Sequence, residues 1–430
     1  MPEQKNNTSK SELETEPTRL KEFWMIVNDI SLEEQLETVK KEIAPPCERL
    51  YVFPSGDIEF EQGAFDFTDV DTSVFHTESL KKLILSCVTG IIDLSPLTNL
   101  TDISVTYGDM NYGHLSPNFA PVTYKPRIIF PLSDRLEKVA IQGCAEFERN
   151  ALVQLPNLKT LTIHFLEDND LSWLNESPSL TNIYSCLTFP DSVVLPSIPT
   201  LERIEFHCLK PRWRHTMKSI DLSPLSISKN LKKICFRNQR ISEVDFTPIA
   251  KCQNLQDINF SGCNLATIDL SCLESRNLHK ISLFKNQLHR IIMPDSTHLE
   301  CVDLGFNKLQ HIDLRTLASP YLKTLYLQNN NLVDIDLSSL SDCNHLEFIE
   351  LSENRLDTID LTPLTNMKNL ERINLAHNFI NKIDVTPLLS CSSLKKAKFG
   401  RNTGMIADSQ KSMNIQSPQL LKMKKRIEWY

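Results

Sequence analysis

Eight leucines in the second half of this 430-residue chain, Leu231, Leu255, Leu278, Leu299, Leu322, Leu346, Leu370 and Leu394, are separated by steps of 24, 23, 21, 23, 24, 24 and 24 residues. Each opens nearly the same phrase, Leu-x-x-Ile-x-Phe/Leu-x-x-Asn-x-Leu-x-x-Ile-Asp-Leu-x-x-Leu. A fixed period of this length predicts a solenoid, because one unit cannot bury its apolar face alone and must stack on its neighbours. Looser copies open at Leu80, Leu100, Leu136, Leu158, Leu180 and Leu201, for about fourteen coils in all. The period breaks twice, over 108–134 and 210–219, and such insertions fall on loops of one face.

The letters of the repeat each have a physical reading. Leucines alternating with variable residues around Leu325 and Leu327 predict a strand with one buried face. The asparagine that recurs as Asn286, Asn307, Asn330, Asn354, Asn378 and Asn402 carries donors and an acceptor, so it can satisfy backbone groups where the chain turns. The pairs Ser95-Pro96, Ser223-Pro224, Thr247-Pro248, Thr362-Pro363 and Thr386-Pro387 read as a capping hydroxyl followed by proline in the first helical turn. The aspartates Asp245, Asp269, Asp313, Asp336, Asp360 and Asp384 hold one repeat position and read as turn or cap ligands. Cys252, Cys343 and Cys391 each stand three residues before an opening leucine, in a slot for a small side chain, and Cys144 and Cys263 take the asparagine slot. The expected fold is therefore α/β: a curved solenoid with a concave parallel β-sheet and short helical or 3-10 turns on its convex side.

With these motifs in view, the chain resembles the leucine-rich repeat family across roughly 80–407. Its Asp-Leu-Ser/Thr-Pro-Leu ending is similar to that of cytoplasmic repeats from archaea and microbial eukaryotes. The resemblance implies a horseshoe whose concave sheet binds another protein, without implying which one.

Composition narrows the function further. Glycine is scarce, at 10 residues, and no P-loop, dinucleotide fingerprint, His-Glu-x-x-His or Gly-x-Ser-x-Gly is present. Catalysis needs different residues converging on one point, whereas the aspartates here repeat one position. No enzyme, cofactor or metal centre is expected. The net charge of −8 divides into 7 basic against 18 acidic residues over 1–79, and 9 against 2 over 394–430. That overall sign speaks against nucleic acid. No apolar run suits a membrane span or a secretory leader, which points to a cytoplasmic chain, monomeric on its own, with a protein partner and no membrane contact.

Along the chain, 1–19 reads as a disordered acidic segment. Residues 20–79 read as a terminal cap, with helices over Leu20–Val27 and, after the capping box at Ser31–Glu34, over 31–43. Irregular repeats over 80–230 and regular ones over 231–407 follow. A basic amphipathic tail over 408–430 places Leu420, Met423, Ile427 and Tyr430 at helical spacing, to cover the last coil.

Variable positions of the regular coils supply the candidate site. Phe284, Phe306, Tyr326 and Phe348 fall on outward strand positions of consecutive coils and are expected to form a diagonal apolar stripe. Lys280, Lys285, Asp303, Glu350 and Glu353 rim it, as charges rim the aromatic anchors of protein interfaces. A mixed polar cluster, His164, Phe165, Tyr184, Arg203, Glu205 and His207, lies on the irregular half. His164 and His207 are a coil apart, so a metal shared between them is not expected. Arg372, Lys396, Lys398 and Arg401 make a basic edge. The leading function is a non-catalytic interaction scaffold. The alternatives are a regulatory subunit of a type 1 phosphatase or small GTPase, and an adaptor recruited to membranes by the basic tail.

Overall fold

The computed structural model describes residues 21–27, 47–54, 65–66, 72–75, 80–86, 88–106, 126–142, 145–164, 169–186, 192–208, 217–274, 276–296 and 298–430. The expected acidic segment 1–19, the helix at 31–43, Phe165, Cys144 and most of both insertions lie outside these residues.

Alternation of apolar and variable residues makes one short strand per coil, and each strand begins two residues after its opening leucine. The strands stack in chain order into a sixteen-stranded sheet, parallel at every pairing. Two of them, Lys21–Val27 and Cys47–Pro54, precede the repeats. The first replaces the helix expected over Leu20–Val27. A short apolar run does not separate helix from strand by period, and Phe-Trp-Met-Ile-Val favours the pleated state.

Each strand of the repeats turns its apolar residues to one continuous core running from Leu80 to Ile427. Burying a leucine in this way is worth roughly 2 kcal/mol. A spine of phenylalanines fills the middle coils: Phe206 stacks on Phe236 at 5.2 Å, Phe236 lies 5.4 Å from Phe260, and Phe246 meets Phe260 edge-on at 5.5 Å.

The asparagine position forms a hydrogen-bonded ladder. Asn330 Nδ2 donates to Leu304 O of the preceding coil (3.0 Å) and to Leu327 O of its own (3.1 Å), while Oδ1 accepts from Leu309 N (3.0 Å). Asn286, Asn307, Asn354 and Asn378 repeat this three-bond pattern. Asn402, which the repeat assigns to the same slot, is exposed instead. The small-residue slot also ties coils together: Ser228 Oγ donates to Ile198 O (2.7 Å) and Cys391 Sγ to Leu364 O (3.4 Å).

The convex side consists of 3-10 turns such as Ser223–Ile227, Thr247–Ile249, Thr362–Leu364 and Thr386–Ser390. Of the two expected cap ligands, the aspartate serves as expected and the hydroxyl does not. The Ser or Thr hydroxyl does not cap the turn; its backbone N–H donates to the aspartate two residues earlier, as in Ser223 N to Asp221 Oδ1 and Thr362 N to Asp360 Oδ1, both 2.8 Å. A two-residue aspartate turn satisfies the amide before the helical turn begins, leaving the hydroxyl without that task. Hydrogen bonds from the Ser or Thr hydroxyl first, and from its backbone N–H second, hold the Asp221, Asp269, Asp336 and Asp360 carboxyls below their usual range.

At the C-terminal end the chain closes over the last coil. Helix Pro418–Met423 is capped by Ser417, buries Leu420, and passes through a 3-10 turn into strand Ile427–Trp429. That strand pairs in parallel with Gly404–Ala407 on the flank of the stack. The expected helix to Tyr430 is thus cut short, because open backbone groups on 404–407 offer partners that a helical Ile-Glu-Trp could not use. Among the described residues, no helix is long and apolar enough to cross a membrane.

Candidate partner-binding surface

Strand register converts the variable positions into columns on the concave face. One column runs Lys280, Cys301, Thr324, Phe348, Arg372, Lys396, and the next runs Ser282, Asp303, Tyr326, Glu350, Asn374, Lys398. Lys280 is exposed, while Tyr326, Phe348 and Glu350 are half-buried.

Phe284 and Phe306 stand beyond the strand ends, where every regular coil turns toward its asparagine. The residue before that slot takes a left-handed conformation in coil after coil: Asn238, Gly262, Lys285, Phe306, Asn329, Glu353 and His377 all have φ between 55° and 72°. The N–H of Asn238, Gly262, Lys285, Phe306, Asn329 and Glu353 reaches the next coil, as in Lys285 N to Gly305 O (2.9 Å) and Phe306 N to Gln328 O (2.8 Å). Asparagine and glycine tolerate this region, whereas phenylalanine is an outlier there. Phe306 nonetheless holds it at φ 59° with 42% of its surface exposed. Its ring meets the half-buried Phe284 edge-to-face, centroids 5.1 Å apart.

The aromatic stripe is therefore broken. Phe284 and Phe306 touch, but no ring contact joins Phe306 to Tyr326 or Tyr326 to Phe348. Tyr326 stands in register between Asp303 and Glu350. Burial, followed by Cys301 and Asp303 nearby, pushes its phenol above the usual range. Burial likewise raises the Asp303 carboxyl, against the hydrogen bond from Gly305 N (3.1 Å). Glu350 accepts from Asn374 Nδ2 (3.0 Å) and from Ser352 N (3.2 Å), so it is a braced acceptor. Phe348 is covered by the Arg372 guanidinium, 5.2 Å from the ring centre. Sequence reasoning assigned Arg372 to a separate basic edge, although the 24-residue step from 348 to 372 already put the two side by side. Lys396 and Lys398 continue both columns, exposed.

A second aromatic row escaped the sequence reading. His298, Tyr321 and His345 each precede an opening leucine and stack nearly parallel, at 5.4 and 6.4 Å. Elsewhere Asn254, Asn277 and Asn369 fill this position and donate to the preceding coil. Its signal was the exchange of asparagine for rings at one fixed position.

On the irregular half, Tyr184 registers with Glu205. Glu205 lies 3.5 Å from His207 Nε2 and 3.1 Å from Lys233 Nζ, and Lys233 reaches Asp257 at 3.6 Å. Burial opposes ionisation of Glu205, but the hydrogen bonds from His207 and Lys233 prevail and hold its carboxyl below the usual range. Burial, with His207 adding to it, pulls His164 down to about 4.

Comparison with known proteins places this geometry. A family profile described as leucine rich repeat matches residues 297–356 and 320–380, and one described as BspA type leucine rich repeat region matches 210–301. No curated protein matches the sequence. Among solved structures, the fold is similar to a leucine-rich repeat protein of Leptospira interrogans, with TM-score 0.54, 16% identity, and coverage of 78% of this chain and 91% of that one. It is also similar to a chain of the Toll–Spatzle complex of Drosophila, with TM-score 0.57 and 15% identity over 94% of this chain. A plant peptide hormone receptor, RGFR1 in complex with RGF2, gives TM-score 0.51 and 14% identity over 84%. The chain spans 52% of the Toll-complex chain and 60% of the plant one. Coils of this period, stacked as a parallel concave sheet and stitched by an asparagine ladder, fall where both profiles match, and residues 210–380 are built of leucine-rich repeats.

Proposed function

We propose that this protein is a non-catalytic, cytoplasmic interaction scaffold that holds a protein segment on the concave face of its regular coils. The anchor is the Phe284–Phe306 pair. Tyr326, Phe348 and Arg372 extend it, and Lys280, Lys285 and Glu350 orient the partner by charge. The observation that carries this reading is Phe306. A bulky residue in the left-handed region costs about 1–3 kcal/mol, which glycine would avoid. An exposed ring kept there at that cost makes sense if a partner covers it. Solved relatives of this fold include Toll, described with Spatzle, and RGFR1, described with RGF2. The nine cysteines from Cys186 to Cys391 are free thiols, which suits a reducing compartment.

The test uses quantitative affinity purification of the whole chain, comparing wild type, Phe306→Gly, and the fourfold alanine variant at Phe284, Phe306, Tyr326 and Phe348. Phe306→Gly is expected to raise the melting temperature slightly while depleting the specific partner at least about tenfold, the scale of a lost aromatic hot spot. An unchanged partner set with the fold retained would remove the aromatic surface from consideration.

A further inference from the structure

We infer that Glu205, His207 and Cys235 form a binding site for a divalent transition-metal ion of zinc's size and softness, on the concave face upstream of the proposed partner surface. Glu205 and His207 alternate on strand Arg203–His207 and therefore project from the same face. Cys235 is the registered neighbour of Glu205 on strand Lys233–Arg237. Their ligand atoms all lie within 4.8 Å of one another, and Glu205 Oε2 is 3.5 Å from His207 Nε2. A tetrahedral zinc ion with bonds of about 2.0–2.3 Å sets its ligand atoms roughly 3.3–3.8 Å apart, so small rotamer adjustments close the triangle. The donor set of carboxylate, imidazole and thiolate suits zinc or cobalt rather than magnesium or calcium. Three protein ligands leave a fourth position for water, reached past the part-exposed His207.

The blander account makes Glu205 merely the counter-ion of Lys233. It explains the carboxylate but not why an imidazole and a buried thiol converge on the same point. The lysine has an alternative seat as well: Asp257 Oδ2 is 3.6 Å from Nζ, and Asp257 Oδ1 is buried with no hydrogen bond from a described residue. A metal ion entering beside Glu205 would drive the ammonium fully onto Asp257, replacing one cation with another. An ordinary cysteine thiol is protonated at neutral pH, so the metal-free site holds S–H. Forming the metal–sulfur bond then breaks that S–H bond and releases one proton to solvent for each ion bound.

The experiment titrates the full chain, with thiols kept reduced, with Co²⁺ alone and then with Zn²⁺ as competitor. Absorbance and proton release are recorded. Wild type is expected to show a thiolate-to-cobalt charge-transfer band saturating at one equivalent, with about one proton released and the band lost to zinc. Cys235→Ser should abolish the band. His207→Ala should weaken binding at least about tenfold. Cys186→Ser, which alters a nearby thiol outside the triangle, should change nothing. Lys233→Gln removes the competing cation and should tighten binding by roughly tenfold, an effect that misfolding could not imitate. Absence of the band in wild type, its survival in Cys235→Ser, or unchanged affinity in Lys233→Gln would each overturn the site.

Discussion

His164 shows what the irregular coils do to a single polar side chain. It ends strand Thr160–His164, in register with Gln142 on one side and Cys186 on the other, and His207 lies further along the same row. Burial first, and His207 second, lower its pKa to about 4 from an ordinary 6.5. The unfolded chain therefore binds the proton more readily, and stability falls as pH drops from 6.5 toward 4. The full difference is worth about 3 kcal/mol, as an upper bound for a group not wholly sealed from water. His164→Gln should flatten the pH dependence of the melting temperature in that window relative to wild type, with little effect at pH 8. Parallel curves for the two proteins between pH 6.5 and 4 would show that the imidazole does not titrate as the burial implies. Phe306 and His164 are thus opposite cases, one exposed at a backbone cost and the other sheltered at an electrostatic one.

At the scale of elements, the C-terminal tail shows how far the sequence could be read. A tail covering the last coil was legible from Leu420 and Met423 at helical spacing, and Leu420 is fully buried. The change to a strand at Ile427 was not, because it depends on unpaired backbone at 404–407 rather than on any periodicity in the tail. The Asp-Leu-Ser-Pro endings erred similarly: the hydroxyl was the obvious cap, yet the nearby aspartate reaches the amide first. The strands and the asparagine ladder were legible because their partners sit one period away. Of the candidate surface, the columns followed from that same period. Side-chain direction did not, which is why Phe348 was grouped with Phe306 rather than with Arg372. The capping element yields a direct prediction. Leu420→Glu would bury a charge against the last coil, at a cost of several kcal/mol, and should peel the tail from the stack. Hydrogen exchange should accelerate over 382–429 while strands 233–237 and 257–259 keep their protection. Retained protection at 404–407 would show that strand Ile427–Trp429, rather than the helix, seals that end.

Across the whole molecule, the core is one continuous column, but each coil touches only its neighbours, so stability should be a sum of coil terms and interface terms. Asn330 probes that sum because its three bonds belong to two coils: Leu304 O and Leu309 N lie in one, Leu327 O in the next. Asn330→Ala leaves the buried Leu309 N–H unsatisfied, while Leu304 O and Leu327 O each lose one bond but keep another, from Asn307 Nδ2 and Asn354 Nδ2 (both 2.9 Å), so a loss of roughly 2–4 kcal/mol is expected. Asn402→Ala, at the exposed copy of the same letter, should stay within about 0.5 kcal/mol. Hydrogen exchange then separates two kinds of solenoid. If intrinsic coil stability and interface coupling are comparable, protection should fall most in the coils opened by Leu299 and Leu322, and recover within a few coils toward Leu231 and Leu394. Equal loss from Leu80 to Leu394 would mean instead that interface coupling dominates and the stack opens as one unit. In that case a partner bound at Phe284 and Phe306 would stabilise the far coils as much as the near ones.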